Sequence, residues 1–479
     1  MRTEDSEVRR TVVSRRAFLR ATAISASAAV IAACGGAPTT RQPAPPPTAA
    51  PGVAAPTTAP AQVESTKQVT IEWFNRYTTP TTQEVLPLMI GEFEKQNPTI
   101  KVQYQNPGNG EGYIETLLSR IAGGNPPDVA TLYEPPVEFA ARGSLLAIDD
   151  YLQSARTARP DAIYEAPLKS CQWQGKTYGL PSSAGAAAVY VNTEMFREKG
   201  ISFSRDTFPK TWDEIRALSR EFVVIDNGQL QQAGFVPFGN SWIYPAWSAM
   251  NGGQLYDSAG TRYTLDSDAN VAWLDYWVRW LNEDFGGDIE QLNVAGNWAG
   301  TYPETAFNLG RASMATEGSW STTDAEIPFE FDVAKLPFGP GGNRSLTAFW
   351  PNWWVVPKGT TNPEAAFQLV EYIATTGWQI WYEYIMDTPS WKAFPPTVLT
   401  TRLVNAVGQE KAQDYNDFFA NYLNDAVEMW TSPIETFAND TLGSAVGEVL
   451  AKRKSPKEAL AEAQALCQAK LDETLKGQG

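Results

Sequence analysis

From residue 69 onward, two hydrophobic periods alternate along the chain. VTIEWF (69–74) and IKVQYQ (100–105) place β-branched and aromatic residues at strand spacing, and PDVATLY (127–133) supplies a third such run. Between the first two lies TTQEVLPLMIGEFEKQNP (81–98), helical in period, with Thr81 and Glu84 set as a capping box and Asn-Pro as a stop. Pro87 sits in its first turns and argues for a later start. A strand, a helix and a strand within about 37 residues make a βαβ unit, and hence a parallel sheet. The alternation continues. TWDEIRALSREF (211–222) opens with a T-x-x-E box and puts Trp212, Ile215, Leu218 and Phe222 on one face. NPEAAFQLVEYIATT (362–376) has Asn as cap and Pro at the first helical position, and SPKEALAEAQALCQAKLDETL (455–475) repeats that logic with Ser455 and Pro456. The pattern is α/β, without an internal repeat or a heptad run. At 479 residues, two lobes are the natural expectation.

The first 66 residues follow neither period. SRRAFLR (14–20) precedes ATAISASAAVIAA (21–33), a small-apolar stretch shorter than the roughly 20 residues that span a bilayer. A charged region, an apolar stretch and a small-residue end describe an export signal. Arg15 and Arg16, followed by Phe18 and Leu19, resemble a twin-arginine signal, and Ile31-Ala32-Ala33-Cys34 resembles a lipobox, which makes Cys34 the expected lipidation site. Residues 35–66 then hold eight prolines in 32 positions, a composition that packs no core. Extended at about 3.1 Å per residue, this tether reaches up to roughly 100 Å. An exported protein, lipid-anchored to the outer face of a bacterial membrane, is the expectation.

Charge and composition narrow the chemistry. The net charge is −16, and residues 1–33 carry six arginines against three acids, so the rest stands at −19. That balance excludes a nucleic-acid face. Histidine is absent from the entire chain, which excludes Ser-His-Asp and Cys-His machinery and imidazole-held zinc. Phosphate-binding loops, nucleophile elbows and calcium loops are missing as well. No cofactor is called for. Carboxylates such as Glu134 and Glu317 leave acid/base work open, without a local pattern that singles them out. Cys171 and Cys467, 296 positions apart, show no spacing signature, and whether they pair stays open.

Seventeen tryptophans are the chain's distinctive resource. Trp273, Trp277 and Trp280 fall at helical spacing and read as core. Others sit among loop formers: Trp242 and Trp247 in NSWIYPAWSAMNGG (240–253), Trp320 in EGSW (317–320), Trp391 in DTPSWKAFPP (387–396), and Trp350 and Trp353 in FWPNWWVV (349–356). Loops carry function disproportionately, and an aromatic ring beside Asp, Glu, Asn or Arg suits a sugar, whose C–H faces stack while its hydroxyls take hydrogen bonds.

In order along about 67–479, the chain resembles the extracellular solute-binding proteins of bacterial ABC importers, the sugar-binding group that includes maltodextrin-binding protein. The resemblance rests on VTIEWF with EFEKQNPTIKVQ, GGNPPDVATLYEPPVEFAARGSLLAIDDYL (123–152), GKTYGLPSSAGAAAVYVNTEMFREKGI (175–201), FPKTWDEI (208–215), GRASMATEGSW (310–320), DVAKLPFGPGG (332–342) and VVPKGTTNPEAAFQLVEYI (355–373). It implies a two-lobed periplasmic-binding-protein fold of type II, each lobe a mostly parallel sheet flanked by helices, with the ligand in the cleft between them. Lobe one is expected at about 67–182 plus 350–388, and lobe two at about 183–349 plus 389–479. It further implies capture of a mono- or oligosaccharide by hinge closure, delivery to a membrane permease, no catalysis, and a monomer. Carried onto this chain, the ligand-facing positions are Trp73, Asn75, Tyr133, Glu134, Ser182, Ser183 and Trp320. The loop argument and the placing of FWPNWWVV at a crossover add Trp242, Trp247, Trp350, Asn352, Trp353 and Trp391, and Glu317 joins them as the carboxylate beside Trp320. Rival readings keep the fold with a polyamine, glycerol-phosphate diester, peptide or metal, or posit a glycan-processing enzyme with two carboxylates about 5–10 Å apart. An anion would need clustered cations, and the candidate loops offer Arg76 and Arg344.

Overall fold

A computed structural model describes residues 68–108, 112–238, 241–257, 260–289, 292, 298, 305–323, 327–427 and 431–476. The expected signal, Cys34 and the tether lie outside these residues. Ser65–Gly479 form one compact unit, distinct from Met1–Glu64.

Two sheets organise it. The first has the order Ile100–Gln105, Val69–Phe74, Val129–Leu132, Trp353–Val355, Leu180–Pro181. Its first three strands run parallel, as the βαβ pattern requires, and Trp353–Val355 runs antiparallel to both neighbours. Alternation sends Ile71, Trp73 and Val129 to one face and Phe74, Ala130 and Leu132 to the other. The inner strand Val129–Leu132 is buried throughout, while the edge strand Ile100–Gln105 alternates between buried or half-buried and solvent-facing positions.

The second sheet is built on Gly185–Asn192, whose eight residues are all buried. Ala312–Gly318, Phe331–Ala334 and Thr347–Trp350 pair with it, all antiparallel, so this sheet is mixed and not the mostly parallel one expected, because its central strand is flanked by chain returning across the sheet and not by βαβ units. Gln229–Phe235 and Ala426–Val427 add parallel pairs farther out, and Val224–Asp226 closes one edge. Helices Asp268–Asp284, Glu435–Leu450 and Pro456–Lys476 pack on this sheet, with Trp273, Trp277 and Trp280 fully buried, as their spacing predicts.

Local signals translate unevenly. The Thr211–Glu214 capping box is formed, and Trp212, Ile215 and Phe222 are buried while Leu218 is only half-buried. The first helix departs from expectation. It runs Pro80–Gln96 with Thr79 as cap, its hydroxyl accepting from the Thr82 N–H at 3.2 Å, so Thr81 is not the cap and the start is earlier, not later. Pro80 explains this, because its fixed φ suits a first helical position. Asn362 precedes Pro363–Ala374 but makes no side-chain cap bond; its amide donates to Asp128 at 3.2 Å instead. Cys171 and Cys467 are both free and buried, in cores on different sheets, so they do not pair.

The chain passes between the sheets at three places: Ser182–Ala184, Pro351–Asn352 and, beyond helix Trp378–Tyr382, Asp387–Ser390. These segments are sewn together. The Ser182 N–H donates to the Asn352 carbonyl (3.0 Å), Ala184 N–H to Thr388 (2.6 Å), and Ser390 N–H to Ser182 (2.9 Å).

Candidate functional site

FWPNWWVV spans one of these crossovers, and strand alternation distributes its rings. Phe349 and Trp350 lie opposite Ala186 and Gly185 on neighbouring positions of one strand, so they point to opposite faces. Trp353 and Trp354 do the same on the first sheet. The Trp353 indole donates to Ser170 Oγ at 2.8 Å and Trp354 donates to Ser182 Oγ at 2.8 Å, each fully buried.

Trp350 meets two rings from elsewhere. Trp242 stands 6.0 Å from it edge-on, and Trp320 lies 5.6 Å from Trp242. All three are half-buried. Trp242 leans on the second-sheet core, whereas Trp320, borne by that sheet, leans on a core of the first. Two glycines make room for Trp320. A Cβ at Gly318 would come within 2.3 Å of its ring and one at Gly185 within 2.7 Å. Here glycine is demanded by close approach, which gives the E-G-S-W segment a steric reason.

Beside Gly185 lies Asp387, whose Oδ1 is 3.0 Å from the same notional Cβ. Its Oδ2 accepts from Asn352 Nδ2 (3.0 Å), and that amide also reaches Ser183 Oγ (3.1 Å). Asp387 acts electrostatically on Tyr77, in the loop after Val69–Phe74. Burial, then Tyr133 and Asp387, push the Tyr77 hydroxyl well above its ordinary range. Neither Tyr77 Oη nor the nearby Asn75 Nδ2 has a hydrogen-bond partner among the described residues, although both are buried. Buried polar atoms ordinarily find partners, so two orphans in one loop point to a solute or water that belongs there. Arg76 caps the group: it pairs with Glu134 at 2.7 Å and lies over the Tyr133 ring at 4.4 Å.

The cleft also carries contacts from one sheet's domain to the other's. Thr436 donates through N–H (2.9 Å) and hydroxyl (2.7 Å) to Glu138, and Arg402 reaches Thr81 Oγ1 (2.7 Å) and Glu84 (2.6 Å). Next to Thr436, Glu435 is buried against Glu138 and Glu134.

The residues singled out from sequence thus divide. Trp242, Trp320 and Trp350 converge; Asn75, Tyr133 and Glu134 cluster at the strand ends of the first sheet. Ser182, Ser183 and Asn352 are buried within the crossovers, bonded to one another. Trp73 is buried with its indole on Thr131 (2.9 Å), Trp247 packs against Trp212 and Trp277, and Trp353 is enclosed as described. None of these three presents a ring to the cleft. Glu317 points into the second-sheet core, accepting from Ser321 Oγ at 3.3 Å; burial raises it to about 7. Trp391 lines a separate half-open cavity of about 360 Å³ with Tyr164, Phe349, Phe394 and Leu423, so it sits with Phe349, across the strand from Trp350. The structure adds Tyr77, Glu138, Asp387 and Glu435. Tyr77 was findable as an aromatic in a strand-end loop. The other three carry no local signal, since only the fold brings them in. Among the described residues no cluster of His, Cys, Asp or Glu is arranged to hold a metal ion, and no helix is long and apolar enough to cross a membrane.

Comparison with known proteins identifies the fold and the family. Residues 78–380 match the family of bacterial extracellular solute-binding proteins. The chain is similar to the maltodextrin-binding protein MdxE of Bacillus subtilis, 22% identical over 66% of this chain and 71% of that one. Among solved structures it is similar to an ABC substrate-binding protein of Listeria monocytogenes in complex with cycloalternan, with TM-score 0.71 and 22% identity over 86% of this chain and all of the other. It is also similar to CpMnBP1 with mannotriose bound, TM-score 0.70 and 20% identity over 83% and 99%. These likenesses carry the two-lobed periplasmic-binding-protein fold. With the match spanning well over half its length, the chain belongs to the bacterial extracellular solute-binding protein family.

Proposed function

We propose that this protein captures a carbohydrate between its lobes and hands it to the permease of an ABC importer, without altering it. The observation that carries this reading is the meeting of Trp242, Trp320 and Trp350 at the crossover. Three half-buried indoles at one hinge provide stacking faces, and Asn75, Tyr77 and Asp387 provide the polar edges a sugar needs. The names of the relatives, which bind maltodextrin, cycloalternan or mannotriose, support the same class of solute. Closure of the lobes about the three crossovers is the capturing motion, and the solute drives it through contacts made better in the closed form. Trp73, Trp247 and Trp353 hold the cores, and Ser182, Ser183 and Asn352 shape the hinge. The N-terminal segment exports the chain, Cys34 carries the lipid, and residues 35–66 tether a monomer at the outer face of the cytoplasmic membrane.

The test is titration of intrinsic tryptophan fluorescence with mono- and oligosaccharides, polyamines, a glycerol-phosphate diester and peptides. A saturable shift with a saccharide, joined by a rise in melting temperature, is the expected result. Silence across saccharides with a response to another class would overturn the carbohydrate assignment. Release of a shortened product from a bound oligosaccharide would overturn the non-catalytic role.

A further inference from the structure

Glu435 opens the helix Glu435–Leu450, rooted in the second-sheet core through Ala438, Leu442 and Val446. It is 5% exposed, and its Oε2 has no hydrogen-bond partner among the described residues. The charges that face it come from the opposite lobe. Glu138 stands on Pro136–Ala141, bonded to Thr436 and paired with Arg142; Glu134 stands in the preceding loop, paired with Arg76. From its own lobe, the Ser432 carbonyl accepts the Glu435 N–H at 3.2 Å, and Ser432 Oγ is bonded to the Tyr263 hydroxyl. Tyr263 is the titratable group on that side that feels its charge. The flanking helices Asp268–Asp284 and Pro456–Lys476 pack along the same helix, and no ion pair joins Glu435 to any described residue among them.

A carboxylate in that place is opposed twice, by loss of water and by two like charges. Burial first, and then Glu138 and Glu134, push the group well above the usual carboxylate range, against a Ser432 backbone hydrogen bond that favours the charged form. Both opposing causes belong to the arrangement in which the lobes meet at Glu138 and Thr436. Parting the lobes returns water to Glu435 and withdraws the two facing carboxylates.

We propose that Glu435 is a specificity-determining residue of the cleft that works as a neutral carboxylic acid: closing the lobes over a solute loads it with one proton from water, and the new O–H at Oε2 donates to that solute. The proposal rests on the reading that the solute sits between the lobes. Its sign follows from linkage. A proton held more firmly in the closed form favours closure as pH falls, so capture is tightest in acid. Affinity then weakens by up to about tenfold per pH unit as pH rises between the open-form and closed-form values.

The experiment uses the full unit 65–479, which carries its own cores, and its Glu435→Gln variant, which keeps the shape and a donor but cannot titrate. Melting temperatures are followed with and without saturating saccharide from about pH 5 to about pH 8. Calorimetric titrations with maltotriose and mannotriose are run in phosphate and in Tris at each pH, so that buffer heats report proton uptake. The proposal expects close to one proton taken up on binding in the native protein and none in the variant, with the variant's affinity flat across pH. A melting-temperature advantage of the variant that grows with pH in saturating saccharide, and is absent without it, also supports it. Binding without proton uptake, together with a variant that differs by a constant amount at all pH values, would overturn it. Failure of both saccharides to bind counts against the carbohydrate reading, and the calorimetry is then repeated with spermidine and with a glycerol-phosphate diester. Binding of either without proton uptake overturns this proposal too. Tighter binding of spermidine, lost in Glu435→Gln and without proton uptake, would overturn it in favour of a ligand cation.

Discussion

A tryptophan beside a turn and a tryptophan in a core cost the protein different things when removed. Trp320→Ala and Trp350→Ala take away stacking surface that is already half open, and the expected result is a loss of saccharide affinity of about 10- to 100-fold with little change in melting temperature, read by fluorescence titration and thermal unfolding. Trp73→Ala and Trp247→Ala should do the reverse, lowering stability by about 3–5 kcal/mol through the cavities left behind. Sequence context alone did not separate these classes. Trp247 lies in a run as rich in loop formers as Trp242 does, yet that run folds into the short helix Tyr244–Met250 and turns Trp247 inward. The G-x-W segment was the better guide, since Gly318 is needed for Trp320 to lie where it does. Glu317 illustrates the opposite failure. Its place beside Trp320 in sequence suggested a polar contact for a solute, but strand alternation sends it inward. Its carboxyl, raised from 4.5 to about 7, holds its proton longer in the folded state than in the unfolded one. The stability this confers is complete below about pH 4.5 and is lost as pH rises through about 7, by about 3 kcal/mol in all. Glu317→Gln removes that loss, so its melting temperature should exceed the native one increasingly from about pH 5 to about pH 8; a pH-independent difference would contradict the assignment.

At the scale of elements, the helices and strands with strong periods were legible, and their ends less so. Thr211 with Glu214 marked a true start, whereas Thr81 with Glu84 imitated one, because the box pattern carries no information about Pro80 one step earlier. Sheet membership was less accessible still. Nothing between Phe349 and Val356 states that Thr347–Trp350 and Trp353–Val355 belong to different sheets, and only the resemblance to a family supplied a crossover there. The crossover itself depends on Asn352, whose amide joins Ser183 to the buried carboxylate of Asp387. Asn352→Ala deletes a charge-assisted bond in a buried network. A loss of about 1.5–3 kcal/mol is expected in urea unfolding, together with a shift in the open–closed balance visible as a changed radius of gyration. Stability unchanged within error would mean that the backbone bonds among the three crossovers suffice.

For the whole molecule, the proposed tether and the lipid anchor at its end would decide where the cleft works. Composition is what carries that reading, since prolines without apolar periodicity admit no core. The prediction belongs to the cell: Cys34→Ser should release the protein from the membrane fraction into the surrounding fluid with its saccharide binding intact, checked by fractionation and by incorporation of labelled fatty acid. Retention of the variant on the membrane would argue for another anchor.

The three crossovers have a consequence for synthesis. The first sheet lacks its strand Trp353–Val355 until more than two-thirds of the chain exists, and the second lacks Ala426–Val427 and the core residues Leu460 and Leu471 until almost all of it does. Neither half can therefore mature while the other is being made. A nascent chain stopped near residue 340 would hold the helix Asp268–Asp284, with Trp273 and Trp277, before the helices Glu435–Leu450 and Pro456–Lys476 that pack against it. Long-range pairings of this kind fold slowly and leave apolar surface open meanwhile. The two sheets and the cores on them are all complete only once the C-terminal helices exist, and until then an unfinished, tryptophan-rich chain must be kept from sticking to its neighbours.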